Sequence, residues 1–179
     1  MRGAEYFELL EALGRLVRSS VELVCRPAGY QAKTGMRREN KPVRPADMAG
    51  EADRLAAQIM RGLAADFITP LEREDISSVV LALRRAVLAA CTVPRGAGGE
   101  YRREVAEACL RLAALVEKYT GMLRKLNKKG PLPLPAAYFE AARISKTPPG
   151  LLAGGALSRL YESLCDACEA VIHAVMGNI

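Results

Sequence analysis

Apolar residues recur every three or four positions along five long segments of this sequence, and this spacing restricts the fold more than any other feature. In the first segment, residues 4–25, they are Phe7, Leu10, Leu13, Val17, Val21 and Val24. Residues at this spacing share one face of an α-helix, so each segment predicts an amphipathic helix. Aromatic residues make up only 5% of the chain and there is no Trp. We therefore expect helices packed on helices, in an all-α fold.

Proline and glycine residues separate the predicted helices. The second helix is expected to begin near Pro45 and to bury an apolar stripe that continues to Phe67. The third follows Pro70, and the inward residues are Ile76, Val79, Val80, Leu83, Val87 and Ala90. A fourth helix is predicted over residues 100–128, a short fifth over 136–145, and the last from residue 151 or 156 to 176. Six helices are thus expected, and the glycine-rich stretch 96–99 is the clearest break between them.

The junction between the second and third helices has the sequence Phe67-Ile68-Thr69-Pro70-Leu71-Glu72-Arg73-Glu74-Asp75-Ile76. Pro70 has no N–H to continue a helix and disfavours the α conformation at Thr69. The acidic residues that follow place negative charge where a helix N-terminus favours it. The run therefore predicts a tight turn between two long helices.

The net charge of +6 raises the possibility of nucleic-acid binding, so the positions of the basic residues matter. One cluster, within residues 124–129, falls at a predicted helix C-terminus, where cations complement the helix dipole. The other lies between Lys33 and Arg44, with Tyr30 as its one aromatic neighbour. Without further aromatic residues on which bases could stack, a solvated loop is favoured over a nucleic-acid site.

Several classes of protein are disfavoured by the composition. No apolar run reaches membrane-spanning length, and Glu5, Glu8 and Glu11 are unlike a signal peptide, so a cytoplasmic protein, at most peripheral to a membrane, is expected. The five cysteines are odd in number and scattered, which favours reduced thiols. With one histidine, no Walker loop and no Rossmann glycine pattern, the sequence shows no catalytic constellation and no enzyme is predicted.

Two further patterns concern the second half of the chain. Thr69-Pro70 and Thr147-Pro148 occupy equivalent corners, so residues 4–93 and 100–178 are interpreted as a diverged repeat within one domain. On the last helix, Glu162, Asp166, Glu169 and His173 share one face because they are spaced by four, three and four residues. Such carboxylates can bind a divalent or ferric ion, although the spacing alone favours a solvated polar face.

The run Phe67–Ile76 resembles the signature of the PhoU-like family of phosphate-transport regulators, in the branch described as DUF47. The segments Tyr6–Leu10, Glu51–Asp53, Leu160–Glu162 and Asp166–Glu169 are also similar to that family's pattern. The resemblance implies an antiparallel six-helix bundle made of two three-helix repeats. It also implies a non-enzymatic, dimeric, cytoplasmic partner of a phosphate permease or phosphate-signalling protein. In many members, iron or zinc ions lie in surface grooves and are bound by Glu/Asp-x-x-x-Asp motifs.

This chain departs from those motifs at most positions where the family has an acidic residue. The replacements are Ala49 on the second helix, Arg84, Arg85 and Leu88 on the third, Ile144 on the fifth and Ala170 on the last. The acidic residues that remain as candidate metal ligands are Asp53, Glu162, Asp166 and Glu169, and a divalent or ferric ion is the implied cofactor at the second-repeat face.

The arginines on the third helix suggest a replacement for the metal ion in the first repeat. Either Arg84 or Arg85 pairs with Asp53, so that a fixed guanidinium stands where other members hold a cation, or both arginines point to solvent. The sequence therefore leaves two functional readings. One is a regulator of phosphate transport, and the other is a divergent helical scaffold that has lost metal binding and the link to phosphate.

Overall fold

Five helices contain most of the residues that the computed structural model describes, which are 3–26, 43–94, 100–125 (without the side chains of 100–102) and 155–177. In chain order they are α1 (Gly3–Cys25), α2 (Pro45–Ala65), α3 (Arg73–Cys91), α4 (Glu100–Leu123) and α5 (Ala156–Gly177). No strand occurs in these ranges, so the predicted all-α fold is confirmed for the described part of the chain. None of the helices described there is long and apolar enough to cross a bilayer.

Several predictions concern residues outside the described ranges. They are the short helix over 136–145, the glycine-rich break at 96–99, the basic residues between 33 and 41, and the last turn predicted for the fourth helix, 126–128.

The start of α2 follows from its first residues, as the sequence predicts. Pro45 is the first helical residue, where the missing N–H costs nothing. Asp47 accepts a hydrogen bond from the backbone N–H of Arg44 through Oδ2, at 3.1 Å. The Arg44 side chain also pairs with this carboxylate, at 3.3 Å. The helix start is therefore stabilised by one acidic side chain in the first turn.

Four of the helices form a closed ring in the described structure. Around the ring, α1 packs against α4, α4 against α5, α5 against α3, and α3 against α1. The backbones of the diagonal pairs, α1 with α5 and α3 with α4, do not pack closely against each other. α2 lies outside the ring, where it packs against both α1 and α3.

Side-chain contacts between the helices show the directions of two pairs in the ring. Arg18 Nη1 on α1 lies 2.8 Å from Glu117 Oε2 on α4, and Arg124, just after α4, lies 3.2 Å from Glu11. Residue numbers thus rise along α1 as they fall along α4, and the two helices are antiparallel. His173, near the end of α5, lies 3.6 Å from Asp75, near the start of α3, so these two are antiparallel as well.

The start of α1 lies beside the corner that precedes α3, because a Cβ on Gly3 would be 3.6 Å from Pro70 Cβ. α1 and α3 therefore begin at the same end of the ring and run parallel. Since α4 is antiparallel to α1 and α5 is antiparallel to α3, α4 and α5 also run parallel.

The apolar stripes predicted from the sequence form the core. Every residue of the stripes predicted for the first and third helices is buried. α1 and α4 approach closely where Gly14 faces the buried Thr120, since a Cβ on Gly14 would lie 3.1 Å from Thr120 Cβ and Oγ1. The glycine thus permits the close packing of these two helices.

The prediction that Phe67 continues the inward stripe of α2 is wrong. α2 ends at Ala65, and the Phe67 side chain is 96% exposed. Residues four apart share a face only within a helix, and the helix ends at Ala65, ahead of Pro70. The spacing between Leu63 and Phe67 therefore does not place Phe67 on the buried face. Phe67 instead belongs to the connection of residues 66–72 between α2 and α3, which we call the corner segment.

Candidate functional site

The first candidate site lies on the outer surface where α2 packs against α3. Arg84 Nε donates a hydrogen bond to Asp53 Oδ1 at 2.6 Å, which is the pairing that the sequence put forward as one of two alternatives. Both side chains are partly open to solvent, 36% for Arg84 and 52% for Asp53. Arg85, one residue further on, is exposed. A guanidinium therefore lies against the carboxylate that the family resemblance assigns to a metal ion.

The surroundings of this pair lack the other acidic groups of a metal site. α2 and α3 are antiparallel, because Cys91 Sγ near the end of α3 lies 3.1 Å from the carbonyl oxygen of Pro45 at the start of α2. Helix geometry then places Ala49 and Leu88 one turn along from Asp53 and Arg84 on the same faces. These two neighbouring side chains offer no oxygen or nitrogen ligand. The groove can hold a charge-assisted hydrogen bond but not a multidentate cation site.

The second candidate site is the acidic face of α5, formed by Glu162, Asp166 and Glu169. All three side chains are exposed along the outside of the helix. Within the described ranges, no three His, Cys, Asp or Glu side chains are grouped so that they could hold a metal ion. Asp53 lies elsewhere, since α2 makes no contact with α5. Two or three carboxylates on one exposed helix do not enclose an ion, so the described residues do not fit a tight metal site.

His173 is on the same helix as the acidic face but has a different neighbour. Its side chain is 84% exposed, and Nδ1 lies 3.6 Å from Asp75 Oδ1 at the start of α3. Asp75 also lies close to the end of α5, because a Cβ on Gly177 would be 3.4 Å from its Oδ2. The imidazole thus contributes to the contact between the two helix ends rather than to a cluster with Glu162 and Asp166.

The corner segment is held in place by the side chain of Arg73. The guanidinium donates hydrogen bonds to the carbonyl oxygens of Leu63 and Asp66, and a third to that of Phe67 at 3.2 Å. The last carbonyl groups of a helix have no partner within it and carry partial negative charge. Arg73, the first residue of α3, therefore binds the C-terminus of α2 and sets the geometry of the connection.

Two further hydrogen bonds fix the corner segment. Thr69 Oγ1 donates to the carbonyl oxygen of Leu71 at 2.7 Å. Tyr6 Oη on α1 donates to Asp66 Oδ2 at 2.8 Å. Burial and this hydrogen bond to Asp66 raise the pKa of Tyr6 to about 12. The run that resembles the family signature thus contains a rigid connection between three helices, and Phe67 and Ile68 project from it into solvent.

Sequence reasoning missed the roles of Tyr6 and Arg73. Tyr6 pairs with a residue 60 positions away, and no local pattern indicates such a contact. For Arg73, a usable signal was present in the sequence. A basic residue three positions after a helix-ending proline can reach back to the carbonyl groups of the preceding helix.

The thiols form a separate group at the opposite end of the ring. A hydrogen-bonding interaction with the Cys25 side chain, together with burial, raises the pKa of the Cys109 thiol well above its ordinary value. Burial raises the pKa of Cys165 to about 11. No disulfide joins the five cysteines in the described structure, and the raised pKa values keep Cys109 and Cys165 protonated at neutral pH. Protonated thiols are poor nucleophiles and poor metal ligands, so the group fits a structural role.

The fold and these sites define a helical bundle with an ion-paired groove, an exposed acidic helix face and a rigid corner. Neither a scan against protein-family models nor searches of the curated proteins and the solved structures found a match to this chain.

Proposed function

We propose that this chain is a non-enzymatic regulator of inorganic phosphate transport, acting as a dimeric cytoplasmic accessory protein of a phosphate permease. The proposal begins from the resemblance of Phe67–Ile76 to the signature of the PhoU-like family. The observation that carries it is the symmetry of the helix packing.

The symmetry is found by exchanging α1 with α4 and α3 with α5. The contact between α1 and α3 then becomes the contact between α4 and α5. The α1–α4 contact and the α3–α5 contact are each left unchanged by the exchange. A duplicated three-helix unit related by a two-fold axis produces this pattern. It supports the proposal of two repeats in a six-helix bundle, in which the helix predicted from the sequence over 136–145 would correspond to α2.

The directions of the helices agree with this interpretation. α1 and α3 are parallel, so the chain between them has to return along the bundle, and α2 makes that return. The end of α4 and the start of α5 likewise lie at opposite ends of the ring. The short helix that the sequence predicts over 136–145, which lies outside the described ranges, would make the corresponding return in the second repeat.

The proposed regulator differs from typical family members in its metal content. In the first repeat, Arg84 replaces an exchangeable cation at Asp53. In the second repeat, Glu162 and Asp166 keep the spacing of the motif, with Glu169 nearby, but lie exposed. A bound divalent or ferric ion, if the second repeat keeps one, takes these carboxylates as part of its ligand set.

Elemental analysis after aerobic purification tests the metal question. Iron or zinc near one ion per chain, lost in a Glu162→Gln, Asp166→Asn variant, would show a retained site completed by residues outside the described ranges. An Ala49→Asp, Arg84→Glu, Leu88→Asp variant tests the first repeat, because it restores acidic residues around Asp53. It is expected to bind a transition metal ion that the wild-type groove does not bind.

The main experiment is an affinity pull-down from native cells, combined with phosphate uptake after deletion of the gene. Co-purification of a phosphate permease and a changed uptake rate are expected. If uptake is unchanged and no permease is recovered, the proposal fails.

The second candidate function is a helical scaffold that has lost metal binding and the link to phosphate. The pairing of Asp53 with Arg84 favours it, because a fixed ion pair cannot report the concentration of a metal or of an anion. Recovery of a stable partner other than a permease, with normal phosphate uptake, would support the scaffold and exclude the regulator.

A further inference from the structure

Phe67 and Ile68 are the most exposed large apolar side chains in the described structure. They are 96% and 83% exposed, whereas Met60, Leu81 and Met176 are between 37% and 57% exposed. The two residues are adjacent and project from the same corner segment. Large apolar side chains exposed side by side mark contact surfaces more often than isolated ones do.

Hydrogen bonds within this chain hold the corner segment in its conformation. Arg73 binds three of the carbonyl oxygens around it, Thr69 Oγ1 bonds to Leu71, and Tyr6 bonds to Asp66. The exposure of Phe67 and Ile68 is therefore a property of a fixed connection. A surface already held in one conformation loses little conformational entropy when it binds, which favours its use in recognition.

The corner segment and the first residues of α3 carry a net charge of the opposite sign to that of the whole chain. Residues 66–75 contain four carboxylates and one guanidinium, a net charge of −3, while the chain carries +6. The guanidinium, that of Arg73, is directed at the backbone carbonyl groups of Leu63, near the end of α2, and of Asp66. An acidic surround attracts a cationic partner and is repelled by an anionic lipid surface.

We propose that the corner segment is a docking element that inserts Phe67 and Ile68 into an apolar pocket rimmed by Lys and Arg on a partner protein. Cytoplasmic loops of membrane proteins are enriched in Lys and Arg, so a permease presents suitable chemistry. The docking chemistry follows from the corner itself, whereas the assignment of the partner as a permease rests on the proposed function.

The test is photo-crosslinking in native cells from the full-length chain. A Phe67→p-benzoylphenylalanine variant reports on the corner segment. The control is Leu81→p-benzoylphenylalanine, which places the same reagent at an exposed apolar position on α3. Crosslinked segments are identified by mass spectrometry, so that the charge and apolar content of the captured segment are read directly.

The expected product from position 67 is a Lys- and Arg-flanked segment of a phosphate permease, absent from the Leu81 control. Capture of such a basic segment from a different protein supports the docking element and overturns the permease assignment. Co-purification of a permease without a crosslink from position 67 overturns the docking element and leaves the proposed function standing. Crosslinks to lipid, to this chain or a second copy of it, or to nothing also overturn the docking element.

Affinity measurements with the purified captured protein provide a second test. Phe67→Ser and Ile68→Ser should each weaken binding by roughly tenfold or more, since a large apolar contact is lost. Glu72→Gln combined with Glu74→Gln should weaken binding and reduce its dependence on salt. Leu81→Ser should leave the affinity unchanged. Thermal melting should be unaffected by Phe67→Ser because the side chain is exposed, so a loss of affinity cannot come from unfolding.

Discussion

Tyr6→Phe removes one hydroxyl group from the contact between α1 and the corner segment. The Tyr6 side chain is 0% exposed, and its hydroxyl donates to Asp66 Oδ2 at 2.8 Å. A hydrogen bond to a charged group contributes about 1.5–3 kcal/mol. Because Asp66 is partly exposed and regains water when the hydroxyl is lost, the lower end applies, and we expect a loss of about 1.5 kcal/mol. For a chain of this length, that corresponds to a fall of roughly 3–6 °C in Tm.

The same hydrogen bond predicts a dependence of stability on pH. Burial and the bond to Asp66 raise the pKa of Tyr6 from 10.0 to about 12 in the folded state. A group with a raised folded-state pKa contributes stability that is complete below its unfolded pKa and is lost as pH rises through the folded pKa. The advantage of wild type over Tyr6→Phe should therefore be constant at neutral pH and shrink between pH 10 and 12.

Urea unfolding of wild type, Tyr6→Phe, Asp66→Ala and the double variant measures this interaction. The double-mutant cycle removes effects that each substitution has alone and isolates the coupling between the two side chains. Repeating the urea titrations from neutral to alkaline pH tests the titration of Tyr6. A coupling energy below about 0.5 kcal/mol, or an advantage of wild type that persists above pH 12, would refute the reasoning.

Three other predictions concern packing, charge and thiols. A double-mutant cycle on Asp53→Ala and Arg84→Ala should give a coupling free energy of about 0.2–1 kcal/mol in unfolding, which declines as salt is added. A coupling of zero at low salt would show that the pair does not form in solution. Gly14→Ala should lower Tm, because the new Cβ would lie 3.1 Å from the Thr120 side chain on α4. Gly50→Ala is the control: its Cβ would have no neighbour within 4 Å, so it should raise the free energy of unfolding by about 0.5–1 kcal/mol. Equal changes in Tm for Gly14→Ala and Gly50→Ala would contradict the close approach of α1 and α4. The Cys109 thiol should react with an aromatic disulfide reagent only after unfolding, because its pKa is raised, and rapid labelling of the native chain would contradict its burial.

The sequence predicts the helices well because the apolar residues that share one helix face are the same residues that the packed core buries. Pro45 and Asp47 start α2, and Thr69-Pro70 lies in the connection before α3, as expected. Ile76 and Leu83, on the stripe predicted for the third helix, are at most 1% exposed. Where a repeating pattern and a proline agree, the element is determined locally.

Phe67 shows where this agreement ends. Its spacing from Leu63 favours a helix, while Pro70 disfavours one, and apolar periodicity alone does not locate the end of a helix. In the structure α2 ends at Ala65, and Arg73 binds the carbonyl groups of Leu63, Asp66 and Phe67. The exposed position of Phe67 thus depends on a contact between two elements, which a pattern within one element cannot show.

The candidate site was predictable in its residue types more than in its geometry. The sequence predicts that either Arg84 or Arg85 pairs with Asp53, or that both arginines point to solvent, whereas in the structure Arg84 forms the pair. The choice between neighbouring arginines depends on the rotation of α3 against α2. That rotation is determined by the packing of α2 against α1 and α3.

The ring of α1, α4, α5 and α3 also bears on how the chain is made. Arg18 and Glu117, which join α1 to α4, are 99 positions apart. At a synthesis rate of about 5–20 residues per second, α1 leaves the ribosome roughly 5–20 s before α4 does. During that interval α2 and α3 cover one side of α1, while the side around Gly14 that receives α4 remains exposed. The nascent first half therefore presents a long apolar helix face to chaperones, and a chain interrupted after α3 should aggregate rather than persist as a folded half.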